Sequence, residues 1–380
     1  MKQALQPDQP LAATMNTASP QPPAPSDVEQ SRAAINTALE RFLHSDRVVE
    51  SFQPLDDTLL EDFRAFALGD GKRFRPLLVL AAWRGLGPGP TRDPAIPMGV
   101  GVALELFHTF LLIHDDIIDD ADVRRGADTL RQRVARRAGV KPRGEEARGE
   151  EAQRHADHLS LIVGDICFTL ALEHLTELPM PDDLNRQVLR TLLRYARLTG
   201  VGQVMDVDAS ARPAGGVSAE QILHCYDLKT AQYTIECPLV LGALLAGASP
   251  AQREALRRYA RALGVAYQIS DDLIGVSRDV AEKSGTSDFE QGRQTLLLAL
   301  TLERAAAEER AWLEARFGRG ALCEADGARL LALYRSTGAV AAIEARVAQL
   351  RDDALAALEP LQGSEAARHL RALVEQLVPL

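Results

Sequence analysis

Five aspartates lie between Asp115 and Asp122, directly after an apolar stretch that runs from Val102 to Ile113. On a helix, Asp115 and Asp119 are one turn apart, so both carboxylates project from the same face. Like charges at this spacing destabilise a helix, and they cost more beside an apolar wall unless cations neutralise them. Mg²⁺ usually takes one or two carboxylates together with substrate phosphates. The cluster therefore predicts a magnesium site that binds a phosphorylated ligand.

The first acidic cluster fits a solvated helix end or a calcium loop less well. A solvated acidic helix end would follow a polar face, whereas this cluster follows an apolar helix. A calcium loop of the EF-hand type needs alternating ligands, a central glycine and a terminal glutamate, and the cluster has none of these.

A second acidic pair, Asp271 and Asp272, follows the apolar segment from Leu263 to Ile269. One such pair is weak evidence, because it could be an ordinary polar helix end. Two pairs in one chain, each on an apolar helix, are stronger evidence. We expect the two helices to face each other across a carboxylate-lined cavity in a helical bundle.

Basic residues occur at places that suit a diphosphate, which Arg and Lys bind through charge-assisted hydrogen bonds. They are Lys72, Arg73, Arg75, Arg124, Arg125, Lys229 and Lys283. Any one of them alone would be interpreted as a surface charge. The segment around Lys72 is not a P-loop, because the GxxxxGK[ST] pattern is absent.

Helical spacing of apolar residues recurs from Ser31 onward, and runs of β-branched alternation are scarce. We therefore predict an all-α fold, a single large helical bundle around a central cavity, spanning residues 29–380. Residues 1–28 are rich in Pro, Ala and Gln and are expected to be a disordered tail. Helices are predicted near 58–69, 73–84, 98–121, 157–176, 185–201, 218–247, 251–277, 292–316, 325–350 and 352–376. Residues 127–157 are expected to be a charged surface excursion.

The composition excludes several classes of protein. A net charge of -10 does not favour nucleic-acid binding. The four cysteines form no CxxC pair, which predicts reduced thiols in a cytoplasmic protein. No uninterrupted apolar run reaches the ~18 residues of a membrane span, and the N-terminus has no secretory h-region.

In their order along the chain, these motifs resemble the trans-prenyltransferases, the polyprenyl diphosphate synthase family. The resemblance covers Gly71 to Thr295. Its matches are the Gly-Lys-Arg-x-Arg-Pro box at 71–76, His108, Asp115-Asp116 with Asp119, Arg124-Arg125-Gly126, Gly164-Asp165, Gly202-Gln203 with Asp206, Lys229-Thr230, Gln268 with Asp271-Asp272, Lys283, Asp288 and Gly292.

The resemblance implies a role for each matched group. The site for isopentenyl diphosphate is expected at Lys72, Arg75, His108 and Arg125, and the cations around an allylic diphosphate at Arg124, Lys229 and Lys283. The implied Mg²⁺ ligands are Asp115, Asp119 and Asp271, and the family implies three Mg²⁺ ions and a homodimer. The catalytic set implied is Asp115, Asp116, Asp119, Lys229, Thr230, Gln268, Asp271 and Asp272, with Thr230 and Gln268 stabilising a carbocation.

Two positions bear on the product. Gly275 stands where the second motif usually has a third aspartate, a variant similar to that of active bacterial geranylgeranyl diphosphate synthases. Phe110 lies five residues before Asp115, about 7.5 Å along the helix, where its ring could form the floor of a cavity for the growing tail. Leu111 is the smaller neighbour at the next position. This resembles short-chain enzymes that make the C20 product, geranylgeranyl diphosphate.

Three alternatives stay open on the sequence alone. Farnesyl diphosphate (C15) is the second candidate product. A terpene cyclase also ionises diphosphates with acidic motifs, but it would not need the second set of cations at Lys72, Arg75, His108 and Arg125. An inactive partner subunit of a prenyltransferase is supported only by Gly275.

Overall fold

The computed structural model describes residues 27–53, 55, 57–87, 89–137, 148–277 and 286–378, without the side chains of 148–149 and 274–277. The predicted tail and Lys283 lie outside the described residues, apart from the last two tail positions, which belong to the first helix. The prediction of an all-α fold is confirmed. Within the described ranges, the strands are two short ones, β1 (Val123–Arg124) and β2 (Ala127–Asp128), which pair antiparallel.

The helices follow one another along the chain with short connections. They are α1 (Asp27–Leu43), α2 (Asp46–Phe52), α3 (Asp57–Ala67), α4 (Phe74–Gly85), α5 (Ala95–Ile118), α6 (Leu130–Arg137), α7 (Arg148–Thr176), α8 (Asp182–Ser210), α9 (Ala219–Tyr226), α10 (Cys237–Leu245), α11 (Pro250–Ser277), α12 (Ser287–Glu290), α13 (Leu296–Arg304), α14 (Ala307–Arg316), α15 (Glu324–Ser336), α16 (Ala339–Ala357) and α17 (Glu365–Leu377). A π-helix (Asp227–Glu236) joins α9 to α10, and a 3₁₀ turn (Glu359–Leu361) follows α16.

Two hydrophobic clusters share the inner helices α4 and α10. On α4, Leu78 packs into the cluster around α11 and α16, while its neighbour Val79 packs into the cluster around α5 and α7. A helix that packs into both clusters must have apolar residues on all of its faces, as α10 has. The acidic helices α5 and α11 therefore stand on either side of a common inner layer, which includes the π-helix.

Two helices are long and apolar enough to cross a membrane by length and composition alone, Ala95–Ile118 and Glu150–Thr176. The first is 72% buried within the protein over its most apolar window, as expected of a core helix, and the second is 39% buried. The sequence prediction, which counted only uninterrupted apolar runs, did not single out either segment.

Some predicted boundaries were wrong for local reasons. The predicted helix 218–247 is three segments, because the backbone between Asp227 and Glu236 forms the i→i+5 hydrogen bonds of a π-helix. The segment 325–350 is broken at Gly338, which has φ +72°. The excursion at 127–157 is not wholly a surface feature, because Leu130 and Val134 on α6 are buried against the core.

Candidate active site

The C-terminal half of α5, α8 and the π-helix enclose a first cavity of about 760 Å³. Its wall is apolar along much of its length, with a polar end formed by Asp115, Gln203 and Lys229. The other lining residues are Arg75, His108, Phe110, Leu111, Leu112, His114, Ile118, Thr199, Gly200, Val204, Val207, Asp208, Ala211, Thr230, Tyr233 and Thr234. The cavity could thus hold a hydrocarbon chain with a charged group at one end.

Cationic and amide groups surround the carboxylate of Asp115. Arg124 donates from Nη2 to Asp115 Oδ2 at 3.2 Å, and Gln203 donates from Nε2 to Oδ1 at 3.2 Å. The Nζ of Lys229 lies 3.9 Å from Oδ1. Asp119, the C-cap of α5, accepts a hydrogen bond from Arg293 Nη2 at 3.0 Å. The acidic end is therefore rimmed by cations that could also meet phosphate oxygens.

Asp116 differs from its neighbours, because it is 1% exposed. It accepts a hydrogen bond from Arg124 Nε at 2.6 Å, while its Oδ2 is buried without a hydrogen-bond partner. Burial raises the pKa of Asp116 to about 6, although Arg124 opposes this shift. In this arrangement Asp116 holds the guanidinium of Arg124 beside Asp115.

A two-residue hairpin turn separates the two adjacent arginines that follow the first motif. Arg125 and Gly126 have φ of +53° and +77°, as a type I′ turn between β1 and β2 requires. Arg124 turns back to the carboxylates of α5, whereas Arg125 donates to the carbonyl oxygen of Asp70 at 3.0 Å. Gly126 is needed here because a side chain is disfavoured at this φ.

Lys229 and Thr230 lie on the π-helix and point to the same cavity. Lys229 Nζ donates to Asp206 Oδ2 at 2.5 Å. Burial opposes the charge on Lys229, but Asp206 and Asp115 outweigh burial and raise its pKa. The lysine is therefore a cation held at the acidic end of the cavity.

A chain of hydrogen bonds connects the π-helix to the second acidic motif. Thr230 donates from Oγ1 to Gln268 Oε1 at 2.8 Å, and Gln268 donates from Nε2 to Asp272 Oδ1 at 3.2 Å. The hydroxyl of the part-buried Tyr226 donates to the other oxygen of Asp272 and accepts from the backbone N–H of Leu296 at 3.3 Å. Because Asp272 accepts from the amide nitrogen, the amide oxygen of Gln268 must face Thr230.

A second cavity of about 570 Å³ lies on the other side of α5. The cations Lys72, Arg75, Arg124 and Arg125 line it. The other lining residues are Asp70, Gly71, Arg73, Phe74, Glu105, His108, Leu112, Thr234, Tyr267 and Leu377. Arg75, His108, Leu112 and Thr234 line both cavities. The two cavities therefore share a wall.

The second cavity carries excess positive charge. Burial lowers the pKa of His108 well below its usual range, and Arg75, Arg125 and other nearby arginines add to this effect. Burial and Arg124 also lower the pKa of Arg125. Burial is the larger cause of both shifts, and the neighbouring arginines add to it, so the cavity wall brings several cations close together.

The two residues predicted to set chain length are both in the wall of one cavity. Phe110 and Leu111 line the first cavity. The ring of Phe110 is held by Phe168 at 5.1 Å, Phe107 at 5.5 Å and His114 at 4.5 Å between ring centroids. These three contacts restrict the movement of the Phe110 ring.

The predicted metal ligands do not form a complete metal-binding site by themselves. Within the described ranges, no three His, Cys, Asp or Glu side chains come together as a metal site. Mg²⁺ fits this donor set only in its usual manner, with one or two carboxylates and substrate phosphates completing its shell. The buried, unpaired oxygen of Asp116 beside Asp115 is consistent with a strongly polar site at the end of α5.

The structure brings most of the predicted residues together. Asp271 is next to Asp272 and one turn after Tyr267, whose pKa is raised by burial and then by the charge of Asp271. In the part of the chain described, Asp271 is not in the wall of either cavity. Lys283 lies outside the described residues.

Sequence reasoning matched Gln203 and Asp206 on α8 to the family pattern but assigned no role to either of them. It did not identify Tyr226 and Thr234 around the π-helix, Tyr267 on α11 or Leu377 on α17. The pattern offered no comparable signal for Leu377, which reaches the second cavity from the last helix.

The comparisons with known proteins agree with this geometry. The model of the polyprenyl synthetase family matches residues 56–334. Geranylgeranyl pyrophosphate synthase 11 of Arabidopsis thaliana is 32% identical over 65% of this chain, which spans 64% of that protein's length. A farnesyl diphosphate synthase of Geobacillus stearothermophilus is 28% identical, with 80% of this chain and 93% of that protein covered.

Among solved structures, the geranylgeranyl pyrophosphate synthase of Corynebacterium glutamicum, complexed with isoprenyl diphosphate and magnesium, superposes with a TM-score of 0.80. It is 29% identical and covers 93% of this chain and 99% of its own. With the family model matching well over half of the residues, the chain belongs to the polyprenyl synthetase family.

Proposed function

We propose that this protein is a short-chain trans-prenyl diphosphate synthase that condenses isopentenyl diphosphate with an allylic diphosphate to make geranylgeranyl diphosphate (C20). The observation that carries the proposal is the shared wall between an acidic, largely apolar cavity and a cationic cavity. Two diphosphates of different kinds can lie on the two sides of Arg75, His108 and Leu112, with their hydrocarbon parts in contact.

The allylic diphosphate is assigned to the acidic end of the first cavity. Asp115, which lines this cavity, and Asp119 and Asp271, which lie outside its lining, would hold Mg²⁺, three ions by family likeness. When bound, Mg²⁺ neutralises the charge that builds up on the departing diphosphate. Arg124 and Lys229 lie within hydrogen-bond or ion-pair distance of Asp115. From these positions they can also stabilise the negative charge that develops on the departing diphosphate. Lys283 is proposed for the same role.

Isopentenyl diphosphate is assigned to the second cavity, where Lys72, Arg75, His108 and Arg125 would bind its phosphates. The allylic C–O bond breaks and leaves a delocalised carbocation, and the double bond of isopentenyl diphosphate attacks it to form the new C–C bond. A proton is then lost to the released diphosphate. The hydroxyl of Thr230 and the amide oxygen of Gln268 supply dipoles beside the cation.

The reaction needs a dry cavity, because water would quench the carbocation. Leu111, Leu112 and Ile118 supply apolar surface on α5, and Val204 supplies it on α8. Phe110 would stop the growing hydrocarbon chain at the C20 length, and this product length is the most specific part of the proposal. A product one unit shorter, farnesyl diphosphate (C15), is the second candidate.

A homodimer is part of the proposal. The helices α7 and α8 expose large apolar side chains, among them Ile162 at 53% and Val204 at 70%. A second copy packed on these helices would cover them, and Val204 also lines the first cavity. Sedimentation of the native chain and of Ile162→Glu would test this, with a monomeric native chain contradicting it. The cytoplasmic location stays a prediction.

The activity itself is tested by incubating the protein with Mg²⁺, isopentenyl diphosphate and farnesyl diphosphate. A C20 diphosphate supports the proposal. In a parallel incubation with geranyl diphosphate as the primer, accumulation of C15 without further extension would favour the farnesyl alternative. A hydrocarbon product would indicate a terpene cyclase, and no turnover with either primer would indicate an inactive partner subunit.

A further inference from the structure

Neighbouring cations in the loop before α4 have opposite surroundings. Lys72 is exposed, whereas Arg73 is only 6% exposed. The sequence places both in one basic box, and both line the second cavity. The difference in exposure shows that, of these two residues, only Lys72 is accessible to a solvated anion.

Arg73 uses its whole hydrogen-bonding capacity inside the protein. A guanidinium has five N–H donors, and the structure provides five acceptors. They are Asn36 Oδ1 at 2.7 Å, Glu105 Oε2 at 2.9 Å, Leu68 O and Gly69 O at 3.1 Å each, and Ala67 O at 3.4 Å. Arg73 therefore has no donor left for a phosphate.

These bonds tie three parts of the fold to the loop. The carbonyl groups belong to the end of α3 and the residues after it, Asn36 is on α1, and Glu105 is on α5. Glu105 is buried like Arg73, with a side-chain exposure of 4%, and lies one helical turn before His108. The ion pair consequently sets the distance between the loop and the face of α5 that carries His108.

The backbone of the loop is held in a conformation that it would not adopt by itself. Arg73 has φ +48°, a left-handed conformation that costs a non-glycine residue free energy. The loop also meets Arg125 closely, because a Cβ at Gly71 would lie 2.9 Å from Arg125 Nη1. Arg125 donates to Asp70 O at 3.0 Å, so a shift of the loop would move Arg125 as well.

We propose that the buried pair Arg73–Glu105 is a positioning device that fixes Lys72 and Arg125 for the diphosphate in the second cavity. Neither residue binds the substrate in this scheme. The inference rests on the proposed function, since it assigns isopentenyl diphosphate to that cavity. It predicts a defect confined to one of the two substrates.

The test compares KM for isopentenyl diphosphate with KM for the allylic substrate in Arg73→Gln and in the isosteric Glu105→Gln. A misplaced binding group can cost about 10- to 100-fold, and we expect KM for isopentenyl diphosphate to rise by this factor. The allylic KM and kcat at saturation should change little. Lys72→Ala serves as the reference for loss of a direct phosphate ligand.

The matched control is Arg261→Gln, which removes a partner of another fully buried carboxylate, Glu236, at a site away from the second cavity. It should lower thermal stability without a difference between the two KM values. Unchanged KM for isopentenyl diphosphate in a folded Glu105→Gln variant would overturn the proposal. An equal rise in both KM values would also overturn it, because that result indicates general loss of structure.

If the native protein shows no turnover, the proposed function fails and direct binding decides the inference. Calorimetry with isopentenyl diphosphate then compares the native chain with Glu105→Gln. Weaker binding by the variant supports the positioning role, and equal binding, or no binding by either protein, contradicts it.

Discussion

The two cavities differ in how their charges are arranged, although they share Arg75, His108 and Leu112. In the first, carboxylates point to the cavity and cations stand behind or beside them. In the second, cations line the wall, and Glu105, a carboxylate among them, is paired with the buried Arg73.

The difference in charge arrangement indicates how each cavity could bind a diphosphate. Carboxylates repel phosphate, so the proposed function would require a divalent ion between the two in the first cavity. In the second cavity, cations would bind the phosphate oxygens directly, without a metal ion. One hairpin contacts both cavities, because Arg124 lines the second cavity while it donates to Asp115 and Asp116, and Arg125 lines the second cavity and donates to Asp70 O.

The largest expected effect comes from Asp115→Ala, which should impair the function of the first cavity and leave ligand binding in the second cavity intact. Loss of one transition-state contact typically costs about 100- to 1000-fold in kcat, and we expect at least this loss of turnover. Calorimetric affinity for isopentenyl diphosphate should be preserved. Asp326→Ala, which removes a surface ion pair with Arg316, is the control for activity. Near-normal turnover of Asp115→Ala would reject the site assignment.

A smaller effect is expected from Tyr226→Phe, which acts on the first cavity through Asp272. Without the hydroxyl, Asp272 loses a hydrogen bond and the amide of Gln268 is less firmly oriented. Outer partners of this kind affect activity by about 10- to 100-fold, so kcat should fall within that range. The control is Tyr259→Phe, which loses a buried hydrogen bond to Leu370 O at 2.8 Å. Equal kcat values for the two variants would argue against the orienting role.

The sequence predicted the helices and the chemistry of the site because both depend on local patterns. Apolar spacing identified α5 and α11, and the aspartate pairs at their ends identified the acidic groups. The family pattern then brought Lys72, Arg75 and His108 to one expected site, and all three line the second cavity.

The remaining features depend on tertiary contacts that no local pattern contains. A π-helix differs from an α-helix in its i→i+5 hydrogen bonds, which the spacing of apolar residues did not reveal, so residues 227–236 were predicted to be part of an ordinary helix. Arg73 reads as a third phosphate ligand, although its burial among carbonyl groups excludes that role. Leu377 reaches the cavity because α17 packs against α4, far away in the sequence.

The length of the first cavity is tested by Phe110→Ala, which alters product size more than rate. Removing the ring held by Phe107 and Phe168 should lower the floor and allow longer products than those of the native chain. Leu111→Ala, in the same wall, removes less volume and should shift the products less. Product chain lengths measured by mass spectrometry check both. An unchanged distribution in Phe110→Ala would mean that another side chain limits the tail.

The smallest effect concerns His108 and the positive charge of the second cavity. The unfolded chain takes up a proton near the ordinary histidine pKa of 6.5, whereas the folded chain resists it because the pKa of His108 is lowered. The free energy of unfolding therefore has its full value with respect to His108 above pH 6.5, and it decreases as the pH falls below 6.5. Between pH 7.5 and 5.5 the native chain should lose more unfolding free energy than His108→Gln, by at most about 1.4 kcal/mol, the limit reached when only the unfolded chain binds the proton. Urea unfolding of both proteins at the two pH values measures this difference, and equal losses would show that burial and the surrounding arginines do not oppose protonation of His108 in the folded chain.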